Sequence, residues 1–166
     1  MVKKHLRVSV YKVMAVSMAL VVLIGMLTGC GREVEPVTAA DFQSKMEELG
    51  YQVEDGTEHY AQFDHVEKCL AFASELEGGK MNVQFFEINT KENATGMFIN
   101  NKEETIKKKS GVSSESSSSN NSYSEYKLTT GDTYYIVEQV GTTLIVARCP
   151  KAFKEKLDEV ITAINY

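Results

Sequence analysis

Three short glycine turns constrain this chain more than any other feature. Gly78-Gly79, Gly131-Asp132 and Gly141-Thr142 each separate two runs rich in apolar and β-branched residues. Glycine supplies the positive φ that a tight reversal needs, and a tight reversal can join only antiparallel neighbours. The runs they join are residues 68–76 with 81–89, 123–130 with 133–140, and 133–140 with 143–149. Tyr51 and Val53 alternate with polar neighbours and predict one further short strand.

Helical spacing fills the remainder. Thr38 with Asp41 three residues on is a short capping box, and Ala39, Phe42, Met46 and Leu49 share one face before Gly50 stops the helix. Thr90 predicts a second helix to about Lys108, with Ala94, Met97, Phe98 and Ile106 as its stripe. A third spans 151–165 and turns Phe153, Leu157, Val160, Ile161 and Ile164 inward. The expected order is α-β-β-β-α-β-β-β-α. This is an α+β fold with a largely antiparallel sheet of about six strands and helices packed on it. Residues 110–122, SGVSSESSSSNNS, have almost nothing to bury and predict a mobile low-complexity loop. The element order resembles small antiparallel α+β domains of the photosystem-accessory and Ran-binding type, a likeness of order without a shared motif.

The N-terminus has a different character. Lys3, Lys4, Arg7 and Lys12 precede a 15-residue apolar run, 13–27. That length suits the apolar core of a signal peptide, whereas a spanning helix needs roughly 20 such residues. Leu27-Thr28-Gly29-Cys30 follows. An aliphatic residue, two small residues and a cysteine behind such a run resemble the lipobox of bacterial lipoproteins. The resemblance covers the first 30 residues only. It implies cleavage before Cys30, a diacylglyceryl group on the Cys30 thiol and an anchor at the extracytoplasmic face of a bacterial membrane. Two acyl chains are enough for stable anchoring. The expected organisation is a signal peptide over 1–29, a lipidated tether over 30–38 and one α+β domain over 39–166.

Removing the 29-residue leader from 166 residues leaves 137, with 14 basic and 23 acidic side chains. Such an acidic chain repels nucleic acid, so the partners expected are the membrane, through the lipid on Cys30, and an envelope protein or ligand. With Cys30 lipidated, Cys69 and Cys149 remain. They either join in a disulfide, as an oxidising compartment permits, or stay as buried thiols.

Chemical motifs are sparse. Asp55, Glu58, His59, Asp64, His65, Glu67 and Cys69 form the one dense run of metal-ligand types, but their spacing matches no calcium loop or zinc pattern. No nucleophile elbow, phosphate loop or dinucleotide fingerprint occurs. No catalytic residue, metal ligand or cofactor is assigned. The expectation is a lipid-anchored extracytoplasmic binding domain. The alternative is a small envelope enzyme, such as a metal-dependent hydrolase built on the 55–69 run.

Overall fold

A computed structural model describes residues 35–166; the expected signal peptide, Cys30 and the first half of the expected tether lie outside the described residues. The elements in chain order are α1 (Ala39–Glu48), β1 (Glu54–Asp55), a 3₁₀ turn (Thr57–Tyr60), β2 (Val66–Leu76), β3 (Gly79–Ile88), α2 (Lys91–Ile106), β4 (Ser113–Ser119), β5 (Tyr123–Thr130), β6 (Thr133–Val140), β7 (Thr143–Pro150), a second 3₁₀ turn (Lys151–Phe153) and α3 (Lys154–Ala163). The strands form one seven-stranded sheet in the order β1-β2-β3-β7-β6-β5-β4, and every neighbouring pair is antiparallel. Among the described residues no helix is long and apolar enough to cross a membrane.

The local signals act as chemistry requires. Thr38 accepts the Asp41 amide at 3.1 Å and donates to the Asp41 carboxylate at 2.7 Å. Gly50, at φ +84°, closes α1: its N–H reaches the Glu47 carbonyl while the Tyr51 N–H reaches Met46. Thr90 caps α2. Gly131 and Gly141, at φ +54° and +56°, turn the β5–β6 and β6–β7 hairpins.

Two cores lie on opposite faces of the sheet. On one face α1 and α3 cover Leu70, Phe72, Val83, Phe85, Ile136 and Ile145. Phe42 of α1 stacks on Phe85 with centroids 4.7 Å apart. On the other face α2 lays Ala94 and Phe98 over Phe86, Leu128, Val137 and Leu144. At the end of α2 the apolar stripe gives out. Ile106 is exposed, and Thr105 is buried instead, its hydroxyl donating to the Asn101 carbonyl at 2.8 Å.

The structure corrects the reading of residues 110–122. Ser113–Ser119 is a strand, paired with β5 from Ser113 opposite Thr130 to Ser119 opposite Ser124. The sheet therefore has seven strands rather than about six. All seven β4 side chains are exposed, so no hydrophobic pattern announces the strand. Backbone pairing builds it, and its polar side chains suit a sheet edge that must not recruit another strand. Glu115, its one charged residue, accepts the hydroxyl of buried Tyr126 at 2.8 Å and pairs with Lys109 at 2.5 Å.

Residues 36 and 37, just before α1, are docked on the domain. Val37 packs against the core beneath α1. A Cβ on Gly141 would stand 2.6 Å from Pro36 Cγ, whereas one on Gly131 would meet nothing within 4 Å. Both glycines have the same positive φ, so alanine pays the same backbone strain at each, about 1 kcal/mol. Gly141→Ala is expected to lower stability by at least about 1 kcal/mol more than Gly131→Ala, the excess coming from the displaced proline. Denaturant melts of the two variants check this; equal losses would show that the Pro36 contact contributes nothing.

Candidate functional site

The face under α2 is only partly covered, and the register shows why. Across the sheet, one row on this face runs Cys69, Phe86, Leu144, Gln139. The next runs Ala71, Gln84, Val146, Val137, Tyr126. The third runs Ala73, Asn82, Arg148, Tyr135, Leu128. The first row is apolar where α2 begins, and Gln139 there donates to Thr95 of the helix at 3.1 Å. Further along, α2 drifts toward β5: Lys102 lies 5.3 Å over the Tyr126 ring, and beyond the helix Ser110 bonds to Thr130. The helix therefore crosses the sheet obliquely. It leaves the Ala73–Asn82–Arg148 corner open.

That corner is a groove of about 560 Å³. Its floor holds Ala71, Ala73, Asn82, Gln84 and Arg148, with Tyr135 at one side. Asn101, Glu104 and Lys108 of the α2 segment form one wall, and Gln52 and Glu54 the other. The alanines keep the floor low. Gln84 donates to the Tyr60 hydroxyl at 3.2 Å, which links the groove to an aromatic group where Tyr60, Phe63 and His65 stand together. Phe63 is 44% exposed. A volume of this size suits a small ligand or a single chain terminus, and mixed amide, aromatic and guanidinium lining suits recognition by hydrogen bonds. Nothing along the sequence marked this site. The one local signal is Arg148, the only arginine among residues 35–166, standing in the otherwise apolar run LIVARC.

A second polar cluster sits on the opposite face. Glu138 of β6 is 1% exposed and faces Glu125 of β5 across the strand pair. Its Oε2 has no hydrogen-bond partner. Burial, with the nearby Glu125 and Asp158 carboxylates adding to it, pushes the Glu138 carboxyl up to about 7; the Tyr123 hydroxyl and Lys127 act in the opposite direction. Tyr123 and Lys127 both bond to Glu125, at 2.9 and 2.6 Å. Of the adjacent tyrosines, Tyr134 is buried and donates to Asp158 of α3 at 2.8 Å, while Tyr135 lies half-buried at the groove.

The residues singled out from sequence fall as follows. Cys30 lies outside the described residues. The Cys69–Cys149 bridge is not formed: both thiols are free and buried. Cys69 belongs to the core under α2 and Cys149 to the core under α1 and α3, so the sheet separates them. Their positions in the register put the Cα atoms roughly 19 Å apart, against about 4.4–6.8 Å for a disulfide. Burial pushes both thiols up to about 11, so neither is a ready thiolate. In the 55–69 run, Asp55 pairs with Lys68 at 2.5 Å and accepts from the Thr57 hydroxyl and amide, at 2.6 and 3.0 Å. The Lys68 and Thr57 hydrogen bonds hold its carboxyl well below the usual range. His59, Asp64 and Glu67 are exposed, and His65 lies beside Phe63. Among the described residues no three His, Cys, Asp or Glu side chains are grouped to hold a metal ion. The run closes a turn at the sheet edge, with Asp55 committed to Lys68 and Thr57.

No family model matches this chain, and no curated protein matches it. Among solved structures, a protein of Thermotoga maritima described as a GTP binding regulator is similar in fold, with a TM-score of 0.50 at 11% identity. The match covers 80% of this chain and 92% of that one. Identity that low establishes a shared fold alone.

Proposed function

We propose that this chain is a lipid-anchored binding domain on the extracytoplasmic face of a bacterial membrane, held through Cys30, and that it takes its ligand in the groove beside α2. The groove carries the reading. It is a concave site on a rigid sheet face, lined by groups that recognise rather than react. The lipobox supports the location, and the tether docked by Pro36 and Val37 supports a domain presented close to its anchor. The fold neighbour's description names a GTP-binding protein, which is consistent with a binding role for such a sheet; this chain itself has no phosphate-loop motif.

Two measurements test the proposal. Cys30→Ala is expected to abolish incorporation of labelled fatty acid and to leave the precursor uncut; unchanged incorporation rules out the anchor. Ala73→Trp fills the groove floor from an exposed position and is expected to leave the melting temperature within about 1 °C. Mass spectrometry of what co-purifies with the intact protein from its own membranes then compares the two forms. Loss of a bound species in Ala73→Trp supports the groove, and an identical set of bound species in both forms overturns it.

A further inference from the structure

We infer that the groove recognises an oxyanion, a carboxylate or phosphate group, and that Arg148 is the residue that reads it. This rests on the groove being the ligand site proposed above.

The charge around Arg148 sets it apart from the rest of the domain. Residues 35–166 carry 22 acidic side chains against 13 basic ones, twelve of them lysine. An arginine placed without selection in such a chain would find a carboxylate close by. Arg148 does not. Directly across from it stand Asn82 on β3 and Tyr135 on β6. Its diagonal neighbours on the same face are Lys80, Gln84, Thr133 and Val137, and along its own strand Val146 and Pro150. None of these eight positions is acidic. Among the described residues Arg148 has no ion-pair partner, while six lysines do.

The carboxylates that come nearest are already engaged or remote. Glu104 on the α2 wall pairs with Lys107 at 2.5 Å, and the unpaired Lys108 follows it into the groove. Glu75 is held by Lys80 at 2.6 Å. Glu54 lies on the opposite rim, three strands away, with its Cα roughly 15 Å from that of Arg148. The Arg148 corner is thus a pocket of positive charge in an acidic domain.

The neighbours complete the chemistry. A guanidinium offers two parallel N–H donors that match the two oxygens of a carboxylate or phosphate. The amides of Asn82 and Gln84 and the phenol of Tyr135 add uncharged donors on either side of it. Lys108 supplies a second cation from the wall. The groove volume fits a small molecule or a single terminus and leaves no room for a folded partner. The surrounding acidic surface repels extended polyanions such as nucleic acid, so selectivity falls on small anions.

The test uses the full-length protein in detergent, titrated by calorimetry with glutarate, inorganic phosphate and GTP, and with glucose as a neutral control. At least one anion is expected to bind saturably at one site, and glucose is not. Arg148→Gln is expected to weaken that binding about tenfold or more, Arg148→Lys less, and Lys108→Gln by several-fold. Raising the salt concentration is expected to weaken binding to the wild type more than to Arg148→Gln. Arg148 is exposed and unpaired, so these variants are expected to fold. Binding of glutarate alone assigns the anion to a carboxylate source, and binding of phosphate or GTP to a phosphate source; either supports the inference. Failure of all three anions, or affinity unchanged in Arg148→Gln, overturns it. If Ala73→Trp abolishes binding that Arg148→Gln leaves intact, the groove stands and the oxyanion reading falls. If neither variant matters, both readings fall.

Discussion

Glu138→Gln is expected to stabilise the protein by about 3 kcal/mol above neutral pH and to change little in acid. The reason lies in the environment of one carboxyl. Glu138 is fully buried, faces Glu125 across the β5–β6 pair and leaves Oε2 without a partner. Burial lifts its carboxyl from the usual 4.5 to about 7. The native state therefore holds this proton more tightly than the unfolded chain does. Below the unfolded value both states are protonated and the site costs nothing extra. Between about 4.5 and about 7 the unfolded chain has released the proton while the native state still binds it, so stability falls as pH rises. Above about 7 a charged carboxylate sits buried beside Glu125, and the whole penalty is present. Glutamine removes the charge, keeps the shape and can donate to the Glu125 carboxylate. The measurement is a denaturant melt of both proteins at three pH values, on either side of this window and within it. A difference that does not grow with pH, or a glutamine variant less stable in mild alkali, would sink the account. The exposed ion pairs act in the opposite sense. Asp55 and Glu115 are held below the usual carboxylate range by their hydrogen bonds to Lys68 and Lys109, so the stability they add is lost as pH falls.

How legible the molecule was depended on whether a signal was local. Thr38, Gly50 and Thr90 act through atoms within five residues, and each does what its position predicted. The turns at Gly131 and Gly141 set hairpin registers for the same reason. What joins β3 to β7 is not local. Nearly sixty residues of chain separate Phe86 from Leu144, and no turn fixes that pairing. Without it the faces of Cys69 and Cys149 could not be compared, and the disulfide stayed open. The groove depends on the same long-range pairing and on the oblique path of α2, which brings Arg148 of β7 beside Asn82 of β3 and below Lys108. β4 was hidden for another reason. Serine has no apolar surface to pattern, and this strand is specified by its partner's backbone rather than by its own side chains.

That hidden strand leads to the second large effect. Deleting residues 112–121 would be harmless if they formed a free loop with its two ends close together, because loop closure then depends only weakly on length. The structure predicts the opposite: loss of cooperative folding, or a fall in melting temperature well beyond ten degrees. Ser110 is tied to Thr130 by two hydrogen bonds, at 2.9 and 3.1 Å. Tyr123, where the chain resumes, lies at the other end of the eight-residue strand β5. That is a span of roughly 24 Å at about 3.4 Å per residue. After the deletion only Gly111 and Ser122 connect Ser110 to Tyr123, and three peptide steps of about 3.8 Å reach at most about 11 Å. Closure would have to pull the end of α2 from the sheet or strip β5 from β6, and either opens the core that contains Leu128 and Tyr126. A second variant separates span from pairing. Replacing residues 113–119 with seven glycines keeps the reach but weakens the strand and removes Glu115 from the Tyr126 hydroxyl. Its expected cost is smaller, about 2–4 kcal/mol, from lost β preference and one unpaired buried hydroxyl. Circular dichroism melts of the three proteins give the comparison. If the deletion melts with the parent, Ser110 is not held at Thr130; if the glycine variant melts with the parent, residues 113–119 add nothing by pairing with β5.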